Sequence, residues 1–140
     1  MSILIDTNII LTYLTGREDK YSDSIEKIME LCAKGGIKGY MAFHTLSTTW
    51  YVLEKQFKNL RREMLKEICE FIKVIGCEHD AVLEALNNEE FKDFEDNLQA
   101  ECAAASSSDY IVTANVKDYT VSKVKAISPE QFIQIISQNG

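Results

Sequence analysis

Carboxylates in this sequence gather where short apolar runs turn polar. Asp6 follows Ile3-Leu4-Ile5; Asp93, Glu95 and Asp96 precede an alanine-rich stretch; Asn115 and Asp118 follow Tyr110-Ile111-Val112-Thr113. Asp93 and Asp96 are three residues apart, so on a helix they project from nearly the same face. Carboxylates held together without matching cations repel one another, and a hard divalent cation relieves the repulsion. Mg2+ or Mn2+ suits such an oxygen donor set and leaves coordination positions for phosphate oxygens. The chemistry indicated is metal-assisted phosphodiester hydrolysis. Plainer alternatives are that Asp93 and Asp96 complement a helix dipole and that Asp6 caps the helix after its strand. Other chemistries find less support. Cys32, Cys69, Cys77 and Cys102 are scattered without a CxxC pair, and with His44 and His79 isolated there is no zinc spacing. Ser106 to Ser108 have no His or glycine elbow around them and read as a helix end.

The elements that must position these acids alternate along the chain. A buried strand at Ile3 to Ile5 feeds a helix through Ile9, Ile10 and Leu14; Ile25, Ile28, Met29 and Cys32 recur at helical spacing until Gly35-Gly36. Gly39 to Phe43 predicts a second strand, and the period from Thr45 through Leu46, Thr49, Trp50, Leu53 and Phe57 a helix. Asn59 and Leu60 open another helix with Met64, Ile68, Phe71 and Ile72 on one face, followed by a brief strand at Val74 to Cys77. A short helix over His79 to Leu86, a helix through Leu98, Cys102 and Ala105, and strands at Tyr110 to Thr113 and Val124 to Ile127 complete the alternation. Ser128-Pro129 starts a last helix. Strands alternating with helices predict a parallel sheet with helices on both faces, and functional groups in such sheets gather beyond the carboxyl ends of the strands.

A length of 140 residues with 46% apolar content fits one domain over 1–140. Fifteen Lys and Arg against 22 Asp and Glu give a net charge of −7, so no global basic field draws the chain to nucleic acid. No stretch approaches the roughly 18 apolar residues of a membrane span, and no signal-peptide core follows a basic N-terminus. A cytoplasmic protein with reduced, buried thiols is expected.

The opening Leu4-Ile5-Asp6-Thr7-Asn8, the stretch Asp93-Phe94-Glu95-Asp96 before its alanine-rich helix, and Asp109 to Thr113 with Asn115 and Asp118-Tyr119 together resemble a PIN (PilT N-terminus) domain. The ending Ile127 to Phe132 is similar to the last strand-to-helix step of bacterial members, so the resemblance spans essentially the whole chain. It implies an α/β fold, a three-layer α/β/α sandwich around a central, mainly parallel sheet. It also implies a Mg2+- or Mn2+-dependent endoribonuclease, as in VapC-type toxins of bacterial toxin and antitoxin pairs. Carried over by position, Asp6 and Asp96 are metal ligands, and with Asn115 and Asp118 they form the catalytic set. Thr7 and Asn8 support the first turn, and Asp93 assists from outside the ligand sphere. Cleavage leaving a 5′-phosphate is the inherited expectation.

One position departs from the family pattern: Thr48 stands where a glutamate is usual early in the helix after the second strand. Glu54, six residues on, points elsewhere around the helix. Loss of that acid weakens the hold on metal, so the alternative is a PIN-like scaffold, catalytically weakened, that binds RNA or a protein. A third reading, a phosphatase with Asp6 as nucleophile, is disfavoured because Asn8 stands where a second aspartate is required. Lys55, Lys58, Arg61 and Arg62 form the dense basic cluster and are candidate RNA contacts, with a solvated face as the alternative. Trp50 shares a face with Leu46 and Leu53 and is read as core, while His44 sits near a strand end. Apolar faces on the helices over Ser22 to Cys32 and Arg61 to Ile72 are candidate surfaces for a homodimer or a separately encoded antitoxin.

Overall fold

A computed structural model describes residues 1–139. Five strands, β1 (Ser2–Ile5), β2 (Lys38–Ala42), β3 (Ile72–Ile75), β4 (Tyr110–Val112) and β5 (Ala126–Ile127), form one sheet in the order β3-β2-β1-β4-β5. Every pairing is parallel. Seven α-helices connect and flank them: α1 (Thr7–Thr15), α2 (Ser22–Ala33), α3 (Phe43–Phe57), α4 (Arg61–Cys69), α5 (His79–Asn87), α6 (Phe94–Ala105) and α7 (Pro129–Asn139), with a 3-10 turn over Val116–Tyr119. The expected three-layer α/β/α architecture is present.

β1 shows why. Its side chains alternate between faces, Ile3 and Ile5 entering one core with Ile9, Ile10, Ile25, Ile28 and Phe132, and Leu4 entering the other with Ala100, Ala103 and Ile111. Each such side chain, fully buried, contributes about 1.5–3 kcal/mol. A strand buried on both faces must be apolar throughout, and Ile3-Leu4-Ile5 is. On the second face the alanines let α6 lie close to β1 and β2, which brings the first turn of α6 over the strand ends. Gly39 meets the same demand between β3 and α2: a Cβ there would stand 2.6 Å from Ile72 Cδ1 and 2.8 Å from Cys32 Sγ.

Several boundaries differ from the sequence reading. Ile72 belongs to β3, not to the preceding helix, because the hydrogen-bonding edge of β2 captures it opposite Gly39; Phe71 ends in the turn before it. The second strand stops at Ala42, and Phe43 is the exposed first residue of α3. Of the cysteines, Cys32 and Cys102 are buried, Cys77 is half-buried, and Cys69 is exposed at the end of α4, so burial of all four does not hold. The apolar face of α2 is covered within the chain, by the core and by α7. On α4 only Ile68 is fully buried. The last helix starts as expected, with Ser128 Oγ accepting from Gln131 N at 3.1 Å and Gln131 Oε1 accepting from Ser128 N at 2.9 Å. Among the described residues no helix is long and apolar enough to cross a membrane.

Candidate functional site

The strand order reverses its direction of progress at β1, between β2 and β4, and ligands of open parallel sheets bind at such switch points. Asp6 occupies this point. β1 pairs with β4 so that Ile5 lies beside Val112, which places Asp6 next to Thr113. Thr113 Oγ1 donates to Asp6 Oδ2 at 2.7 Å, and the backbone N–H of Thr7 donates to Asp6 Oδ1 at 2.7 Å. The side chain is therefore both the cap of α1 and a carboxylate held at two points, in a pocket where it is 5% exposed. Burial raises its pKa above the ordinary value; hydrogen bonds from Thr113 and Thr7 oppose the rise, and Asp118 adds to it.

Asp96 faces it from the first turn of α6. Asp93 caps that helix, its Oδ1 accepting from the Asp96 N–H at 3.1 Å, so the capping alternative is realised at Asp93 while the Asp96 carboxylate is left to the cleft. Tyr119 Oη donates to Asp96 Oδ1 at 3.3 Å. Burial first, then Asp93, Asp6 and Asp118, push the Asp96 carboxyl up to about 6. Burial and the same two carboxylates, Asp6 and Asp96, push the Tyr119 phenol up. The ion pairs among the described residues involve Glu30, Glu63, Glu84 and Glu101, none of the four aspartates here. No three His, Cys, Asp or Glu side chains among those residues close into a ligand cluster. The donor set still fits Mg2+ or Mn2+, which bind through one or two carboxylates plus water and phosphate, and whose charge would relieve the repulsion that raises Asp96. Asp6 and Asp96 are the carboxylates of this set that could hold such an ion.

A cleft of about 580 Å³ opens beside Asp96, lined by Glu90, Asp93, Asp118, Lys92 and Lys117 among others. The profile of the PIN domain matches residues 2–117. The chain belongs to the PIN domain family. Solved structures agree on the fold of this PIN domain. VapBC2 of Rickettsia felis, bound to a DNA fragment from its promoter, superposes with a TM-score of 0.70 at 21% identity, covering 91% of this chain and 98% of that one. VapBC-1 of nontypeable Haemophilus influenzae gives 0.70 at 18%, with 93% and 99% covered. Mycobacterium tuberculosis VapC20, described as a toxin that cleaves the sarcin-ricin loop, gives 0.56 at 14%, with 78% and 86% covered. No curated protein sequence is a significant match.

Within the PIN fold the other expected residues separate into near and far. Asn115 follows β4, its backbone N–H donating to Thr113 Oγ1 at 3.0 Å, and the exposed Asp118 lies in the next turn. Thr7 reaches across to α3, its Oγ1 2.9 Å from Thr45 Oγ1, and Thr48 lies one turn further along α3, half-buried. Asn8 is exposed and is not among the groups that hold Asp6. Glu54 is exposed, as its angular position demands. The basic cluster begins ten residues beyond Thr45, about 15 Å along the helix axis. There Arg61 stacks on Trp50 with Cζ 3.7 Å from the ring centre and donates from Nη1 to the Trp50 carbonyl at 3.0 Å. His44 is half-buried near Glu95 and Asp6; burial lowers its pKa, and Glu95 opposes the change.

Sequence reasoning passed over Thr113, Tyr119, Thr45, Gln99, Lys92 and Lys117 as site residues. Two carried a readable signal. Thr113 ends the strand that pairs with the one ending at Asp6, and Gln99 is three residues from Asp96 on one helix face.

Proposed function

We propose that this PIN domain is a Mg2+- or Mn2+-dependent endoribonuclease, the toxin half of a bacterial toxin and antitoxin pair, acting in the cytoplasm as a single domain over 1–140. The observation that carries the reading is the convergence of Asp6 and Asp96 across the sheet's switch point, with Asp118 close enough to raise both. Relatives in fold that are solved as VapBC assemblies, and one described as a toxin that cleaves the sarcin-ricin loop, support the biological setting.

When bound, the cation would lower the pKa of water and stabilise charge on phosphate oxygens. The protein's own groups do the rest. Thr113 and the Thr7 N–H hold the Asp6 carboxylate by both of its oxygens and fix its orientation. Tyr119 does the same for Asp96. Lys92 and Lys117, on the rim of the same cleft, receive the phosphate backbone and offset the repulsion that the acids would exert on RNA. Asn115 and Asp118 order the attacking water, whose oxygen bonds to phosphorus as the bond to the 3′ oxygen breaks, leaving a 5′-phosphate. Lys55, Lys58 and Arg62 would extend the RNA path around the turn from α3 to α4; Arg61 stacks closely on Trp50, and Arg62 lies farther over the same ring. A separately encoded antitoxin and a second copy of the chain are the expected protein partners.

The competing reading, a scaffold that binds RNA or protein without cutting, rests on Thr48 in place of the family's acid. One experiment separates them: cleavage of an end-labelled structured RNA with Mn2+ or Mg2+, comparing wild type, Asp6→Asn and Thr48→Glu, each checked for folding. Metal-dependent cutting by wild type that Asp6→Asn abolishes supports the nuclease. Cutting by Thr48→Glu alone supports the scaffold.

A further inference from the structure

Gln99 is a buried amide, 2% exposed, on α6 one turn beyond Asp96. Its Nε2 donates to Thr7 Oγ1 at 2.7 Å and to Thr45 Oγ1 at 3.1 Å, while the two hydroxyls lie 2.9 Å apart. Helices α1, α3 and α6 thus meet in one triangle of polar atoms that includes Thr7, the residue after Asp6. Gln99 Oε1 is buried without a partner. The reversed amide would instead orphan two N–H donors, and an unpaired buried carbonyl is better tolerated than unpaired N–H groups.

The proton count inside the triangle follows once each amide proton is assigned to one threonine. Both amide protons are spent on the threonines, so each hydroxyl accepts one hydrogen bond. One hydroxyl proton fills the contact between the two oxygens, and the other must leave the triangle. Thr45 is 0% exposed, whereas Thr7 is half-buried and keeps some access to solvent. Stranding a donor at Thr45 would cost its full desolvation, so Thr45 donates to Thr7 and the Thr7 proton is the free one.

We infer that Gln99 is a positioning residue: by donating to both threonines it turns the Thr7 hydroxyl outward beside Asp6, where that proton is given to a phosphate oxygen of bound RNA. The inference rests on the reading of the cleft as an RNA site. It adds to that reading a residue that never touches substrate yet sets the polarity of one that does.

The test is a double-mutant cycle read by binding. A fluorescein-labelled structured RNA is titrated by anisotropy in Ca2+ and checked to be intact afterwards, with wild type, Gln99→Met, Thr7→Val and the double variant, all matched for circular dichroism. Gln99→Met keeps the length of the side chain and removes both donors. Each single change weakens binding by about tenfold or more, the scale of one hydrogen bond to a charged group, and Gln99→Met adds nothing further once Thr7 is Val. Undiminished binding by folded Gln99→Met, or a loss that persists in the Thr7→Val background, overturns the inference. Hydroxyl proton exchange in the wild type, followed by NMR, gives a readout that survives if Gln99→Met does not fold. Slow exchange at Thr45 with fast exchange at Thr7 supports the assigned direction, and the reverse overturns it. Wild type that binds this RNA but does not cut it with Mg2+ or Mn2+ removes the nuclease reading and leaves the inference standing; wild type that does not bind it overturns the inference.

Discussion

Asp96→Asn should stabilise the metal-free protein at neutral pH, and the size of the effect follows from the burial of Asp96 and the carboxylates crowded around it. The Asp96 carboxyl is pushed from its ordinary 3.8 to about 6 by burial and by Asp93, Asp6 and Asp118. At 1.36 kcal/mol per unit that is about 3 kcal/mol, and partial exposure of the side chain at least halves it, to about 1–1.5 kcal/mol. Against this, a carboxylate at the third residue of α6 gains about 0.3–1 kcal/mol from the helix dipole, which the amide forgoes. Asparagine keeps an oxygen for Tyr119, so no hydrogen bond need be lost there. The net gain is about 0.5–1 kcal/mol, or about 2–4 °C in Tm. The sign with pH is fixed as well. The folded state binds the Asp96 proton more tightly than the unfolded chain, so the penalty is present above about 6 and fades as pH falls toward 3.8. Differential scanning fluorimetry in EDTA at pH 7.5 and pH 5 should show a gap that narrows at the lower value. Adding Mg2+ at pH 7.5 should then raise the Tm of wild type and leave the variant unmoved. A variant less stable than wild type in EDTA at pH 7.5, or a gap indifferent to pH, would refute the reasoning.

Three further outcomes follow from other parts of the molecule. Gly39→Ala should lower the urea midpoint with the m-value unchanged: the new Cβ meets Ile72 and Cys32, both buried, and overpacking costs about 1–3 kcal/mol against about 0.4–1 kcal/mol gained by stiffening the unfolded chain; an unchanged midpoint would count against that packing. Thr48→Glu should tighten Mg2+ binding in calorimetry and lower stability in EDTA, since it adds a carboxylate near those already in conflict; unaltered affinity would mean that the Thr48 position faces away from the metal. Lys117→Gln should weaken RNA binding and reduce the slope of log affinity against log salt by about 1, and an unaltered slope would remove Lys117 from the phosphate path.

The strand and helix order was legible because fully buried strands such as Ile3-Leu4-Ile5 and amphipathic helices such as α2 carry strong patterns. Boundaries were lost where pairing decides rather than period. Ile72 continues the helical spacing of Met64 and Ile68, yet the edge of β2 offers it hydrogen bonds that the helix cannot match. At the site, Asp6 and Asp96 were visible as acids at strand and helix ends. Thr45 was not, because a buried hydroxyl has no periodic signature; only its contacts with Thr7 and Gln99, far away in sequence, reveal it. Lys92 and Lys117 were passed over for the denser run near Arg61, since charge density along a chain says nothing about which cleft it borders.

The place of β1 at the centre of the sheet sets a timetable for the protein. Asp6 leaves the ribosome early, and Thr113, which holds its second oxygen, follows 107 residues later. At about 5–20 residues per second the interval is roughly 5–20 s. Until then β1 has a partner on its β2 side only, and α6 lacks the β4 neighbour that completes its packing. The two strands that hold the candidate site are synthesised far apart, so a nascent chain lacks the Asp6–Thr113 contact until β4 has emerged.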